Sequence, residues 1–118
     1  MRDPKRLKVF QLADELAVAV YEATKGFPKD EWFGLRSQIR RAAVSVPSNI
    51  VEGCARSSEK EYLHFLDIAY GSALEVEYQL SLAHRLGYLD AETHRSLNEA
   101  AAQTAKALNG LIRSLRKT

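Results

Sequence analysis

Cysteine, proline and glycine are scarce in this chain, and long apolar runs are absent. Its 118 residues include one cysteine, three prolines and six glycines. A single cysteine, Cys54, cannot form a disulfide within the chain, which fits a reducing compartment, so we expect a cytoplasmic protein. No run of about 18 apolar residues occurs, so we expect no membrane-spanning helix. Residues 1–10 also lack the apolar region of a signal peptide.

An excess of one charge sign is also missing. Seventeen Lys and Arg residues face 15 Asp and Glu residues, which gives a formal net charge of +2. A charge this small does not imply nucleic-acid binding by itself, so the position of the charges matters more than their sum. Hydrophobic residues make up 46% of the chain and charged residues 27%. This mixture is typical of a globular protein with one core, and we expect a single domain over residues 1–118.

Apolar residues recur at helical spacing in four segments, and no segment alternates as a strand does. The predicted helices cover, in order, residues 8–25, about 30–53, 59–86 and 91 to the end of the chain. Gly26 suits a left-handed cap after the first helix. Ser58 begins a capping box with Glu61, and Asp90 is a good N-cap for the fourth helix. Because the connections are short, the sequence predicts an all-α, antiparallel, up-down-up-down four-helix bundle.

A proline lies inside the second predicted helix, in the string RAAVSVPSNIVEG at residues 41–53. Either the helix ends near Ser45 and a new turn begins with Pro47, or one long helix continues with a kink at Pro47. The apolar stripe 39–50 keeps its phase across the proline, which favours the kinked helix. Ser45 and Asn49 are candidates to bond the backbone groups that the proline loosens.

The string QIRRAAVSVPSNIVEGCARSS, residues 38–58, resembles the signature of the bacterial four helix bundle protein family, also called 23S rRNA intervening-sequence proteins. Further matches follow the same order: LKVFQLADELAVAVYEATKGFP, FLDIAYGSALEVEYQL and LAHRLGYLD. The C-terminal helix matches only in general pattern. The motif residues are Arg40, Arg41, Pro47, Asn49, Glu52, Gly53, Glu75 and Glu77.

The resemblance implies a four-helix bundle that assembles as a ring-like homopentamer. Some members of the family are encoded inside insertions in large-subunit ribosomal RNA genes. The family also resembles the accessory protein of diversity-generating retroelements, a basic pentamer that binds nucleic acid and a reverse transcriptase. For most members of the family no activity is established, and we expect a non-enzymatic protein.

Histidine and cysteine offer no recognisable metal or nucleophile pattern. His84 and His94 flank the same turn, but no further Cys or His stands at zinc-ligand spacing. Cys54 has no histidine beside it in sequence and reads as a small buried apolar residue. We therefore expect no metal and no cofactor.

Two carboxylates, Glu75 and Glu77, interrupt the most apolar helix. Paired carboxylates can carry acid–base chemistry, which leaves an enzyme as one hypothesis. The Glu-x-x-His motifs of di-iron bundles are absent, however. Counted back from the turn between the second and third helices, Arg40 and Arg41 come opposite these carboxylates. We predict that Arg40 or Arg41 pairs with Glu75 or Glu77 in a structural role.

The third helix carries more apolar residues than one buried stripe needs. The first apolar line runs from Tyr62 to Ala83. A second line beside it contains Leu63, Leu66, Tyr70, Leu74, Tyr78 and Leu82. A helix that is apolar on so much of its circumference must be covered on more than one side. We therefore expect a homo-oligomer, and the resemblance implies a pentamer.

The predicted topology brings basic residues together at one end of the bundle. We call this group the basic end; it comprises Arg2, Lys5, Arg6, Lys8, Arg56, Lys60, Arg113, Arg116 and Lys117. Phosphate contacts there would give salt-sensitive binding of RNA or DNA with little sequence preference. Two alternatives remain open: the basic residues only solubilise the helix ends, or the protein is a scaffold for an RNA-processing or reverse-transcriptase partner without contacting nucleic acid.

Overall fold

Four α-helices make up most of the protein. The computed structural model describes residues 2–117; residues 1 and 118, the outer bounds of the predicted domain, lie outside the described residues. The helices are α1 (Lys8–Ala23), α2 (Leu35–Cys54), α3 (Glu59–Arg85) and α4 (Ala91–Arg116). Single 3₁₀ turns, Pro4–Arg6 and Lys29–Glu31, precede α1 and α2, and residues 2–117 contain no strand. The prediction of an all-α protein with four helices is confirmed.

Each helix packs against two others: α1 contacts α2 and α4, and α3 contacts α2 and α4. The buried side chains form two clusters. One joins the starts of α1 and α3 to the ends of α2 and α4 around Leu66 and Leu108. The other joins the ends of α1 and α3 to the starts of α2 and α4 around Val20 and Leu80. An antiparallel order of neighbours requires this grouping, and the up-down-up-down order stays a prediction.

Two predicted helix caps are confirmed. The Ser58 hydroxyl accepts from the Glu61 backbone N–H at 3.1 Å, and Asp90 Oδ1 accepts from the Thr93 N–H at 2.7 Å. The bond from Thr93 holds the pKa of the Asp90 carboxyl below its usual range, because it stabilises the carboxylate form.

The predicted end of α1 is wrong by two residues. The helix ends at Ala23, and the buried Thr24 donates its hydroxyl to the Val20 carbonyl at 2.8 Å. Gly26 is not a left-handed cap either. Among the described residues, positive φ occurs only at Gly87, where φ is 83° at the turn after α3. The terminal carbonyls of α1 have other donors: the Glu22 carbonyl accepts from the Lys25 N–H at 3.4 Å, and the Tyr21 carbonyl accepts from Arg40 Nη2 at 3.1 Å.

The predicted start of α2 is also wrong, because the acidic residues lie in a 3₁₀ turn and the helix begins at Leu35. Glu31 Oε1 accepts from the Leu35 N–H at 2.9 Å, and its Oε2 accepts from the Tyr88 hydroxyl at 3.1 Å. Gly34 makes room for this carboxylate, since a Cβ there would lie 2.7 Å from Glu31 Oε1. Glu31 thus caps α2 and ties its start to the turn between α3 and α4.

Pro47 lies within a continuous α2, which confirms one helix rather than two; the bend at Pro47 stays a prediction. The side-chain amide of Asn49 donates to the Ser45 carbonyl at 2.8 Å. Pro47 removes the donor of the Ala43 carbonyl instead, so satisfaction of that loosened group stays a prediction. The hydroxyls of Ser45 and Ser72 hydrogen-bond each other at 2.8 Å and link α2 to α3.

The family-like motif ends where α2 and α3 approach closely. Gly53 is buried, and a Cβ built on it would lie 3.1 Å from Phe65 Cβ, 3.1 Å from Tyr62 Cδ1 and 3.3 Å from the Tyr62 carbonyl oxygen. Glycine is therefore required by packing at this position rather than by a turn. The close approach fixes the hairpin that carries Arg56 and Lys60.

Candidate nucleic-acid interface

The basic end is organised around two arginines that lie on aromatic rings. The guanidinium of Arg2 lies 3.9 Å from the centroid of the Tyr62 ring, and Nη1 donates to the Arg56 carbonyl at 3.4 Å. Arg56 lies 4.9 Å from the centroid of Phe65. Together with Ala55 and Ser57, the two arginines line a cleft of about 640 Å³. The residues lining this cleft include no carboxylate, although Arg56 is ion-paired with Glu52 outside it, so the charge of Arg2 is what chiefly suits the cleft to an anionic group.

Two of the predicted basic residues are partly neutralised. Arg56 forms an ion pair with Glu52, and Arg116 Nη2 lies 2.6 Å from Asp67 Oδ2. Lys60 and Arg116 line a second cleft of about 490 Å³ together with Glu59, Leu63, His64 and Asp67. Asp67 lies eight residues inside α3, and sequence reasoning did not place it at this end. The second cleft therefore has mixed charge and is a weaker anion site than the first.

The remaining candidates are exposed but line neither cleft. Lys5 and Arg6 lie in the first 3₁₀ turn, which Asp3 caps by accepting from the Lys5 N–H at 3.0 Å. The other three, Lys8, Arg113 and Lys117, are exposed in the first turn of α1 and at the end of α4. These side chains can add to the electrostatic field of the end without a fixed geometry.

The predicted ion pair between α2 and α3 is not formed. Arg40 turns towards α1, where Nε donates to Thr24 Oγ1 at 2.8 Å and Nη2 donates to the Tyr21 carbonyl at 3.1 Å. Among residues 2–117, no salt bridge joins Arg40 or Arg41 to Glu75 or Glu77. The reason is that two acceptors at the end of α1, Thr24 Oγ1 and the Tyr21 carbonyl, lie within hydrogen-bond distance of Arg40, whereas the carboxylates of α3 do not.

Arg41 and Glu75 nevertheless line one cleft of about 270 Å³ between α2 and α3, with Gln38, Ala42, Ser45 and Ser72. Glu75 Oε2 accepts from the Gln79 side chain at 3.0 Å. Glu77 does not line this cleft, so the two carboxylates do not converge on a common reacting position. The arrangement gives no pair for acid–base catalysis.

Cys54 and the histidines show no reactive arrangement. Cys54 is buried beside Tyr62, and burial raises the pKa of the thiol, which disfavours the nucleophilic thiolate. The rings of His84 and His94 stack at 4.7 Å with an interplanar angle of 5°. The described part of the chain holds no group of three or more His, Cys, Asp or Glu side chains placed to bind a metal.

Part of the third helix remains apolar at the surface. Leu74 and Tyr78, one turn apart on α3, are 45% and 60% exposed. The other line of α3, from Tyr62 to Ala83, is almost wholly buried in the bundle. Leu74 and Tyr78 are therefore the members of the second apolar line of α3 that the bundle leaves exposed. Within residues 2–117, no helix is long and apolar enough to cross a membrane.

Sequence reasoning missed a second group of surface residues, three exposed aromatic rings beside two half-buried arginines, at the junction of α1 and α2. Tyr21, Trp32, Phe33, Arg36 and Arg40 gather there, with Phe33 almost fully exposed. The signal is present in the string EWFGLR, but helical periodicity alone places this connection in the first turns of α2.

Comparison with known proteins adds two findings. A family model described as 23S rRNA-intervening sequence protein matches residues 5–110. A crystal structure of a protein of unknown function from the S23 ribosomal protein family of Bacteroides thetaiotaomicron VPI-5482 superposes with a TM-score of 0.82 and 30% identity. The match covers 88% of this chain and 97% of that one. The comparison with curated proteins found no match.

Proposed function

Since the chain belongs to the 23S rRNA-intervening sequence protein family, we propose that it is a non-enzymatic, oligomeric, cytoplasmic protein that holds nucleic acid at its basic end. The observation that carries this proposal is the cleft between Arg2 and Arg56, which is lined by no carboxylate. Guanidinium groups bind phosphate in a bidentate fashion, and here stacking on Tyr62 and Phe65 orients them.

The chemistry of this end favours backbone binding without sequence reading. Phosphate contacts supply most of the non-specific affinity for nucleic acid and release counterions, so the affinity falls steeply as salt rises. The basic residues of this end come from three separate chain segments rather than from one helix. Duplex RNA or duplex DNA of any sequence is the expected ligand.

Self-association would strengthen nucleic-acid binding, because an oligomer repeats the basic end in each subunit. The exposed Leu74 and Tyr78 on α3 supply an apolar surface, and tyrosine is enriched where subunits meet. We infer a homo-oligomer, with the pentamer that the resemblance implies. A sedimentation-equilibrium mass of 13.2 kDa, that of one chain, at micromolar concentration would contradict this inference.

The test measures duplex affinity against salt concentration for two variants of equal charge change. One replaces Arg2, Lys5, Arg6 and Lys8 with alanine, which removes an arginine of the carboxylate-free cleft together with exposed members of the basic end and leaves both ion pairs intact. The control replaces Lys25, Arg85, Arg95 and Lys106, which lie outside that group.

The basic-end variant is expected to flatten the dependence of log affinity on log salt by about 0.9 for each phosphate that is no longer neutralised, whereas the control leaves the slope near that of the wild type. Equal slopes in the two variants would remove the basic end as the binding site. Absence of any duplex binding at low salt would leave the scaffold for a protein partner as the better account.

A further inference from the structure

A cavity of about 240 Å³ at the junction of α1 and α2 combines aromatic rings with arginines. Its lining residues are Tyr21, Trp32, Phe33, Arg36, Ser37, Arg40 and Arg41, and none of them is acidic. We call it the aromatic–arginine cavity. It lies at the start of α2, whereas Arg56 of the basic end follows the last turn of that helix, so the two sites are separate.

The aromatic rings differ in how firmly the protein holds them. The Trp32 indole donates to the Phe27 carbonyl at 3.2 Å, and the guanidinium of Arg36 lies 4.5 Å from the centroid of its ring. Phe33, the next residue, is 96% exposed. The neighbouring rings of Trp32 and Tyr21 are 37% and 41% exposed, so Phe33 belongs to an aromatic patch, and contiguous apolar patches of this kind mark contact surfaces.

The arginines give the cavity a definite charge. Arg40 is fixed by its bonds to Thr24 and to the Tyr21 carbonyl, and it lies 4.5 Å from the centroid of the Tyr21 ring. Among residues 2–117, the salt bridges involve none of Arg36, Arg40 and Arg41. Arg41 also lines the cleft that holds Glu75, but none of the residues lining the aromatic–arginine cavity is acidic, so the cavity is positively charged and favours an anionic ligand.

We propose that the aromatic–arginine cavity binds one unpaired nucleotide of a single-stranded nucleic acid. The base stacks on Phe33, and the phosphate pairs with Arg36 and Arg41. Flat aromatic faces next to positive charge are the features by which proteins hold single strands without reading their sequence. A cavity of about 240 Å³ is smaller than the pockets that enclose a whole drug-sized ligand, which suits one planar group with its backbone left outside.

The proposal extends the nucleic-acid role but stands on residues outside the basic end. Duplex nucleic acid presents no free base face, so only the basic end should hold it. A single strand should be held at both sites. A variant that loses only single-strand binding therefore reports on the aromatic–arginine cavity. A variant that loses duplex binding reports on the basic end.

The test uses the full chain and short labelled adenine homopolymers, one of RNA and one of DNA, measured by fluorescence anisotropy. Phe33→Leu keeps an apolar side chain but removes the ring, and Phe33→Tyr keeps the ring. Leu86→Ala is the control, because Leu86 is also an exposed apolar residue but does not line the cavity. Since Phe33 is almost fully exposed, none of its variants should unfold the protein, which circular dichroism verifies.

We expect Phe33→Leu to weaken single-strand binding about 5- to 150-fold, the range for loss of one stacked base, while Phe33→Tyr and Leu86→Ala bind as the wild type does. Duplex affinity should not change in any of them. If Phe33→Leu binds both homopolymers more weakly, the cavity accepts RNA and DNA alike. If it binds only the RNA more weakly, the cavity is specific for RNA. The Arg36→Ala, Arg41→Ala double variant should also flatten the salt slope on single strands by about 0.7 for each phosphate that is no longer neutralised.

Three results would overturn the proposal. Wild-type single-strand affinity in Phe33→Leu would show that the residue offers only apolar contact, as a protein partner would need. A smaller oligomer in Phe33→Leu would identify the cavity as an interface between copies of the chain. An unchanged salt slope in the double arginine variant would exclude phosphate pairing at this site.

Discussion

Adding one methyl group at Gly53 should destabilise the protein, whereas the same addition at Gly71 should stabilise it. Both glycines lie inside helices, where glycine costs about 0.5–1 kcal/mol relative to alanine. At Gly71 a Cβ would meet no heavy atom within 4 Å, so this gain should be fully realised.

At Gly53 the gain is opposed by packing. The Cβ would lie 3.1 Å from both Phe65 Cβ and Tyr62 Cδ1 and 3.3 Å from the Tyr62 carbonyl oxygen. A backbone oxygen and a Cβ cannot rotate away, so α2 and α3 would have to separate by a few tenths of an ångström. Overpacking of this kind costs about 1–3 kcal/mol, which leaves a net loss of about 0–2.5 kcal/mol after the helix gain of about 0.5–1 kcal/mol.

The assay is chemical denaturation followed by far-ultraviolet circular dichroism, with both variants at one protein concentration because self-association makes stability depend on concentration. Gly71→Ala should unfold at higher denaturant than the wild type, and Gly53→Ala at lower. Equal stabilisation by the two substitutions would refute the close approach of α2 and α3 at the motif glycine.

Three further predictions concern single residues. Pro47→Ala should straighten α2 and alter self-association while helix content is kept, because the alanine N–H restores a donor for the Ala43 carbonyl. A crystal structure and a sedimentation mass measure the two effects. If both are unchanged in the variant, the cause of any bend in α2 lies elsewhere. Arg40→Ala should lower the free energy of unfolding by about 1–3 kcal/mol, because its two hydrogen bonds to the end of α1 are removed. An equal loss of unfolding free energy in the control variant Arg36→Ala would contradict this role of the Arg40 hydrogen bonds. Asp90→Asn should retain the N-cap but remove its acid sensitivity. Because the folded-state pKa of Asp90 is lowered, its contribution is complete above the unfolded carboxyl pKa of about 3.8 and is lost as the pH falls through the lower folded value. An acid unfolding curve that is identical in wild type and Asp90→Asn would contradict that role.

Sequence periodicity predicted the helices well because each one buries a regular stripe. In α3 the residues placed on one line, from Tyr62 to Ala83, are almost all in the core. Capping chemistry was equally readable at Ser58 and Asp90, since the side chain that caps a helix is local in sequence. The phase of the stripe across Pro47 also indicated correctly that α2 is continuous.

The errors arise where a side chain reaches beyond its own helix. The acidic residues before α2 suggest an early helix start, but Glu31 instead receives the Leu35 N–H and bonds Tyr88 across the molecule. A count along the hairpin places Arg40 opposite α3, although its closest acceptors belong to α1. Periodicity carries no information about such contacts.

The composition of the candidate site was partly predictable. Reasoning from topology groups Arg2 with Arg56, and the structure places both in one cleft. It does not include Asp67, which pairs with Arg116 and weakens the second cleft. It also assigns Phe33 to a helix, so the exposed ring could not be recognised.

The most direct test of nucleic-acid binding at the basic end is lysine acylation with and without saturating duplex RNA, read by mass spectrometry. The account predicts that bound RNA protects Lys5, Lys8, Lys60 and Lys117, while two exposed lysines outside the basic end, at positions 25 and 106, react as before. Protection of positions 25 and 106, or unchanged reactivity at all six lysines with duplex bound, would contradict it.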